Sequence, residues 1–385
     1  MTRDERAAAR RLIPPLPLLL ALLIAIAPTA CRPRASFTLA RLLIVAPLTG
    51  ERAAAGREVV EAARLAVEEW QGSQGAGARV EVITIDEQAS QPVRALLRDP
   101  HLLLAVGFTD EVSAATARRL LDGPEAPAGV SLANPGPGPR PPGLVELAPS
   151  TRQVQEVAAA ALAYNYGPLP VTVIASAEPS AVAAAQAFVA LAPGRDLPVR
   201  ALITLTNTAT DFARLAQAVR APGPQVVYVV GQGVDAGSLW AELRLRDPRA
   251  RLVLAPGVLG EGFYRTAGGF FEGVSAIELT PLPAELEQAQ GFVARFSARF
   301  GRPPTALAGR AYDATLLGLS AVTAAAAAGA PTRATVRAAL TAVGSYRGVM
   351  RTYELADGAP TRWPLAMYRL GRDGTPTLIG EPEIP

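Results

Sequence analysis

The chain has 385 residues and no lysine; all 37 basic side chains are arginine. That bias reports genome composition rather than function, and arginine runs such as Arg118-Arg119 read as solvated helix faces. Only one cysteine, Cys31, is present, which excludes an intramolecular disulfide. Only one histidine, His101, is present, and nothing near it supports a zinc site or a Ser-His-Asp triad. It follows Asp99-Pro100 at the mouth of a strand and reads as a solvent-facing turn residue. There is no G-x-S-x-G, no Walker loop and no G-x-G-x-x-G after the first strand. The glycine cluster Gly231-Gln232-Gly233 lacks a third glycine in the following helix, so it does not read as a dinucleotide site. No basic stripe carries interleaved aromatics, which argues against a nucleic-acid partner. The sequence therefore offers no cofactor site, no metal site and no catalytic constellation.

What is present fits about two α/β domains. The length exceeds one ordinary core. Half of the residues are hydrophobic and 18% are charged, enough for cores and unlike a disordered chain. Residues 1–30 hold Arg3, Arg6, Arg10 and Arg11 against Asp4 and Glu5. The remainder carries 33 arginines and 32 carboxylates, close to neutrality. An apolar run over 12–27, containing LLLALLIAIA, follows the charged start. This is the order of an export signal, and the run is short for a membrane span. It ends at Pro28-Thr29-Ala30-Cys31, which resembles the lipobox of bacterial lipoproteins, with Pro28 in place of the usual aliphatic residue. The resemblance implies a lipid on Cys31 as the mature N-terminus. A plain secretory signal and an uncleaved anchor are the alternatives.

Beyond residue 38, strand-like and helix-like runs alternate. Strands are expected over 39–46, 79–85, 102–106, 129–132, 171–175, 199–205, 225–230 and 251–254. Helices are expected over 56–70, 92–97, 112–121, 151–164, 180–191, 211–219 and 235–245. In the first of these helices Val59, Ala63, Ala66 and Trp70 form one stripe at helical spacing. A loop of proline, glycine and one arginine, PGPGPRPPG, interrupts the first half at 135–143. The tail differs: helices over 285–300, 306–328 and 332–342, then strands over 349–355 and 365–370. Turns are expected at Asp357-Gly358 and Asp373-Gly374. Repeated strand–helix units imply parallel sheets covered on both faces. Ligands of such sheets bind beyond the carboxyl ends of the strands. Asp110 and Glu111, directly after the LLLAVG run, are candidates for that position or for capping the next helix.

Several segments together resemble a known family. They are APLTGERAAAGREVVEAARLAVEEW (46–70), VEVITIDEQASQP (80–92), LLLAVGFTDEVSAATA (102–117), AGVSLANP (128–135), TDFARLAQAVRAPGPQVVYVVG (210–231), AYDATLLGLSAV (311–322) and SYRGVMRTYELADG (345–358). Their order and spacing are similar to the leucine/isoleucine/valine-type solute-binding proteins of ABC importers. The resemblance implies the type I periplasmic-binding-protein fold, two doubly wound parallel-sheet lobes joined by a three-strand hinge. One lobe would comprise 37–149 plus 282–342, the other 150–281 plus 343–385. It implies capture of a small polar solute, amino-acid-like, an amide or related, between the lobes and delivery to a permease and ATPase complex, with membrane attachment through the lipid on Cys31. It does not imply an enzyme. It places Thr109, Asp110, Glu111, Ala133, Asn134, Ser180 and Gln232 at or beside the ligand. Where the family holds an amino acid's carboxylate with a serine pair and an A-T threonine, this chain has Asp110-Glu111 and Asn134-Pro135. Aromatic cleft positions are replaced by Ala55, Ser180 and Gln232. The expected ligand is therefore neutral or cationic, or presents a carboxylate elsewhere in the cleft. A ligand-free lipoprotein scaffold and a sensor are the alternatives.

Overall fold

The computed structural model describes residues 37–50, 52–74, 78–88, 96–206 and 211–382. The expected export signal and Cys31 lie outside these residues, as does most of the expected 92–97 helix.

The first sheet is built from β1 (Phe37–Ala46), β2 (Ala78–Asp86), β3 (Leu102–Gly107), β4 (Ala128–Ser131) and β5 (Leu144–Glu146), in the order β2-β1-β3-β4-β5. Every pairing in it is parallel. All six residues of β3 are buried, which is why its sequence runs apolar without alternation. Leu42, Ile44, Leu104 and Val106 belong to one apolar cluster, while Leu43, Val45 and Ala105 belong to another on the opposite face. Each such side chain contributes about 1.5–3 kcal/mol by burial. Helix α1 (Ala53–Gln74) packs against the long helix α9 (Ala306–Ala327), and α9 lies against β3 and β4. Helix α2 (Glu111–Leu120) follows β3.

The second sheet repeats the winding. Strands β6 (Val171–Ala175), β7 (Val199–Thr204), β8 (Val226–Val230), β9 (Arg251–Leu254) and β10 (Val274–Glu278) run parallel in the order β7-β6-β8-β9-β10. Two antiparallel strands, β14 (Ala366–Leu370) and β15 (Pro376–Gly380), extend it beyond β10. Its helices are α3 (Thr151–Tyr166), α4 (Pro179–Leu191), α5 (Phe212–Val219), α6 (Gly233–Arg246) and α7 (Glu261–Thr266). Tyr228, fully buried, stacks obliquely on Phe188 with ring centroids 4.5 Å apart. The architecture is thus two doubly wound lobes, as the sequence implied. Helices α8 (Gln290–Phe300) and α10 (Arg333–Thr341) complete the chain with a small antiparallel sheet of β11 (Ser345–Arg347), β12 (Thr352–Ala356) and β13 (Ala359–Pro360).

Several local expectations change. Strands β5, β10 and β15 and helix α7 were not anticipated, being short or, as VSAIE, without alternation. The helix expected over 285–300 begins only at Gln290, after 3₁₀ turns at Pro283–Glu285 and Glu287–Ala289. The strand expected over 349–355 starts at Thr352, because the amides of Val349 and Met350 donate instead to the buried Asp313 carboxylate, at 2.6 and 2.9 Å.

Candidate functional site

Both parallel sheets have the winding in which the strand order reverses between the first and third strands, here β1/β3 and β6/β8. Such switch points open a crevice at the carboxyl ends of the strands. The turns there are tightly constrained. Gly107 ends β3 at φ 123°, and a Cβ on it would sit 1.9 Å from Val45 O. With glycine in place, Phe108 N donates to Val45 O at 3.0 Å. Phe108 itself is left-handed at φ 57° and buried, so the chain turns sharply into Thr109. Gly231, directly after β8, has φ 124°, and a Cβ there would meet the Ser176 side chain at 2.4 Å. Gln232 N donates to Ser176 Oγ at 2.8 Å.

These turns frame one cavity of about 240 Å³. From the first sheet come Thr109, Asp110 and Glu111 after β3, Leu132, Ala133 and Asn134 after β4, and Ala148 and Pro149 after β5. From the second come Val230 at the end of β8, Ala255 and Pro256 after β9, and Leu279 after β10. Thr151, Val154 and Gln155 of α3, Ser180 and Ala184 of α4, and Arg310 of α9 close the wall. Six of the seven residues singled out in the sequence thus share one cavity. The seventh, Gln232, does not line it; its Nε2 donates to Glu178 Oε1 at 2.8 Å.

The two acidic candidates divide their roles. Asp110 is the N-cap of α2: its Oδ1 accepts from Ser113 N at 2.7 Å, and Ser113 Oγ accepts from Asp110 N at 3.1 Å, a reciprocal capping box. Arg52 bridges Asp110 at 2.5 Å, Glu87 at 3.0 Å and Thr109 Oγ1 at 2.7 Å. Burial pushes the Asp110 carboxyl up, but the Ser113 and Arg52 bonds outweigh it and hold it below the ordinary range. Thr109 is also committed, its N and Oγ1 donating to Glu87 at 3.0–3.1 Å. Glu87 itself is raised by burial and by the Asp110 charge beside it. Glu111 opens α2, and its side chain makes no hydrogen bond or ion pair with a described residue; burial and Asp110 raise its carboxyl.

Asn134 is nearly buried, and both ends of its amide are engaged, Nδ2 with Ala148 O at 3.3 Å and Oδ1 with Gly136 N at 2.9 Å. It shapes the rim by tying the β4 and β5 loops together. Ser180 stands exposed at the start of α4.

Sequence reasoning missed Gln155 and Arg310. Gln155 is 2% exposed, and its Oε1 accepts from Tyr228 OH at 2.9 Å. Arg310 is 7% exposed, donates through Nη1 to Leu132 O at 3.1 Å, and leaves Nε without a partner. A signal existed: Arg310 and Asp313 are the only charges in the 22 residues of α9. Burial lowers the Arg310 pKa to about 10 and raises that of nearby Glu278 to about 8. His101 sits exposed at the opposite, amino end of β3, in a turn where its N donates to Asp99 Oδ1 at 2.9 Å. Among the described residues no cluster of histidine, cysteine and carboxylates is arranged to hold a metal, and no helix is long and apolar enough to cross a membrane.

Comparison with known proteins agrees with this geometry. No curated protein matches the chain. Among solved structures, LivJ from Streptococcus pneumoniae in complex with isoleucine is 17% identical, with a TM-score of 0.74 over 90% of this chain and 99% of its own. An ABC transporter substrate-binding protein from Sphaerobacter thermophilus is 20% identical, with a TM-score of 0.74 over 90% of this chain and 98% of its own. A solute-binding protein from R. palustris in complex with benzoate is 17% identical, with a TM-score of 0.70 over 90% and 98%. At these identities the likeness establishes the fold. The model of a periplasmic binding protein family matches residues 41–375. With nearly the whole described chain inside that match, the protein belongs to the periplasmic binding protein family.

Proposed function

We propose that the protein captures a small organic solute between its two lobes and delivers it to the permease and ATPase of an ABC importer. The observation that carries this reading is the single cavity onto which the carboxyl-end turns of both sheets converge. The solved relatives of the same fold include proteins crystallised with isoleucine and with benzoate, both compact organic molecules. The lobes we assign are 37–149 plus 282–342 and 150–281 plus 343–385, with Thr109, Asp110, Glu111, Ala133, Asn134 and Ser180 on the facing walls. Gln232 belongs to the shell that holds Glu178 beside the cleft. The proposed role is binding without catalysis. The only histidine lies at the far end of β3, and the cavity-lining Asp110 and Thr109 are consumed by capping and by Glu87.

We further propose that residues 1–30 are removed on export and that Cys31 carries the lipid anchor. Cys31→Ala should release the protein from membranes or leave the precursor uncleaved. A soluble mature chain beginning elsewhere than Cys31 would contradict the anchor. The test of capture is a thermal-shift screen over small solutes. A ligand at one hundred times its Kd adds about 2.7 kcal/mol to the folded state. If no solute of any class raises the melting temperature, the ligand-free scaffold is the correct reading.

A further inference from the structure

Two charges interrupt the apolar helix α9, and only one of them is answered. Asp313 is buried and accepts from Val349 N, Met350 N and Tyr353 OH at 2.6–3.0 Å. Arg310, three residues earlier and 7% exposed, makes one side-chain hydrogen bond among the described residues, from Nη1 to Leu132 O. Its Nε is buried without a described partner, and Nη2 makes no bond to any described residue, which leaves it open to the cavity that Arg310 lines. The charged groups that bear on it are Arg351, which repels it, and Glu278; Tyr353 is a neutral phenol there. Glu278 accepts from Gly257 N at 3.3 Å with one oxygen, and the other has no partner. Because burial favours the neutral acid at Glu278, it is a poor counterion for Arg310 near neutral pH. A buried cation without a counterion is costly, and an unpaired buried donor calls for an explanation.

The surroundings supply one, because Arg310 lines the cavity. Gln155, 2% exposed, lines the same cavity, and its Oε1 is held by Tyr228 OH. That bond fixes the amide so that its NH₂ remains as a donor, with no bond to any described residue. One donor without a described partner therefore comes from α9 beside the first sheet and one from α3 beside the second. The wall between them is mostly apolar, with Leu132, Val154, Ala184, Val230 and Leu279. At the strand-end turn the chain presents Asp110 and Glu111, which repel an anion.

We propose that Arg310 and Gln155 form an anion subsite that takes the carboxylate of a small organic acid, whose apolar body packs against the aliphatic wall and whose far end points away from Arg310. This rests on the solute-capture reading and gives it a substrate class. The cavity of about 240 Å³ lies just below the size range of drug-sized ligand sites, which suits a compact acid rather than a peptide. Guanidinium and carboxylate make charge-assisted bonds stronger than neutral ones, and each is strengthened in a low-dielectric site. The same anion relieves the uncompensated charge of Arg310, so the empty protein is the strained state.

The test uses isovalerate and phenylacetate, each beside its primary amide, on the exported mature chain. Titration calorimetry and thermal shift should show binding of the acids and at least tenfold weaker binding of the amides. Arg310→Gln should reduce acid affinity at least tenfold while leaving the melting temperature of the empty protein unchanged or higher. Gln155→Glu keeps an acceptor for Tyr228 OH and adds a repelling charge. It should weaken the acids in the same way, and it stands as the second variant if Arg310→Gln fails to fold. Equal binding of acid and amide, or undiminished acid binding in either folded variant, overturns the subsite. If neither acid binds but the solute screen finds a neutral or cationic ligand, the subsite is wrong and solute capture stands. If nothing in the screen binds, solute capture fails with it.

Discussion

Glu146 offers the sharpest test of how the first lobe is held. It is the last residue of β5, with a side chain fully removed from solvent. Arg118 of α2 donates to it through Nε and Nη2 at 2.7 and 2.9 Å, and Arg140 of the proline-glycine loop donates through Nε at 2.9 Å. One carboxylate therefore reconciles two guanidiniums. Its backbone N also donates to Gly358 O at 2.8 Å, and Arg140 reaches Asp357 O, so the cluster ties the 135–143 loop to the β12–β13 turn. Glu146→Gln keeps the shape but removes the charge and turns an NH₂ toward a cation. Breaking a buried pair costs about 3–5 kcal/mol. The arginine side chains are 12% and 17% exposed and can swing outward, which places the expected loss near the low end, about 3 kcal/mol. Urea unfolding followed by circular dichroism measures it. Replacing all three residues by methionine should recover most of the loss, because no uncompensated charge is then left behind. A Glu146→Gln loss below about 1 kcal/mol, or a triple variant weaker than the single one, would refute the charge accounting.

Two further perturbations separate capping from binding and read out a buried acid. Asp110→Ala should cost about 1 kcal/mol of stability through the lost cap, whereas Glu111→Ala, which removes an unpaired and desolvated carboxylate, should leave stability unchanged or higher. The reverse order in urea midpoints would mean that the cap is misassigned. Glu278 has a folded pKa of about 8, above its ordinary value of 4.5. The folded state therefore binds the extra proton between those values, and the contribution of Glu278 to stability falls as pH rises through that window. Glu278→Gln should gain stability relative to the native chain between pH 5 and about 8, and a pH-independent difference would rule this out.

The fold was legible because its signals are long and redundant. Runs such as LLLAV and QVVYVV have the length and β-rich content of fully buried strands, and each ends in a glycine that the strand-end turn requires. What was missed is short. Strand β5 has three residues, too few to show a pattern, and one of them is Glu146, whose two arginine partners no local window reveals. Strand β10 was hidden because VSAIE puts serine and glutamate into a strand buried along most of its length, where tertiary packing overrides propensity. The break at 348–351 lies in the bonds from Val349 and Met350 to Asp313, partners at least 36 residues apart, which no local window contains.

The site was legible in the same measure. Position relative to strand ends follows from the alternation of elements, so residues after β3 and β4 could be assigned to a cleft from sequence. Commitment to other partners could not. Asp110 reads as a cleft residue or a helix cap, and Ser113 makes it the cap while Arg52 adds an ion pair that the sequence does not announce; Asn134 reads as a free polar group, yet Gly136 and Ala148 occupy it. The converse error hid Arg310, which sits on a helix rather than in a strand-end turn. On the proposed reading the substituted pocket is a different site rather than an eroded one. Its acidic turn is rigidified by a cap and an ion pair, and its unpaired donors lie deeper, on α9 and α3. A chain that had merely lost its ligand would have no reason to keep Arg310 buried and unanswered, since replacement by an apolar residue of similar volume is often neutral or stabilising.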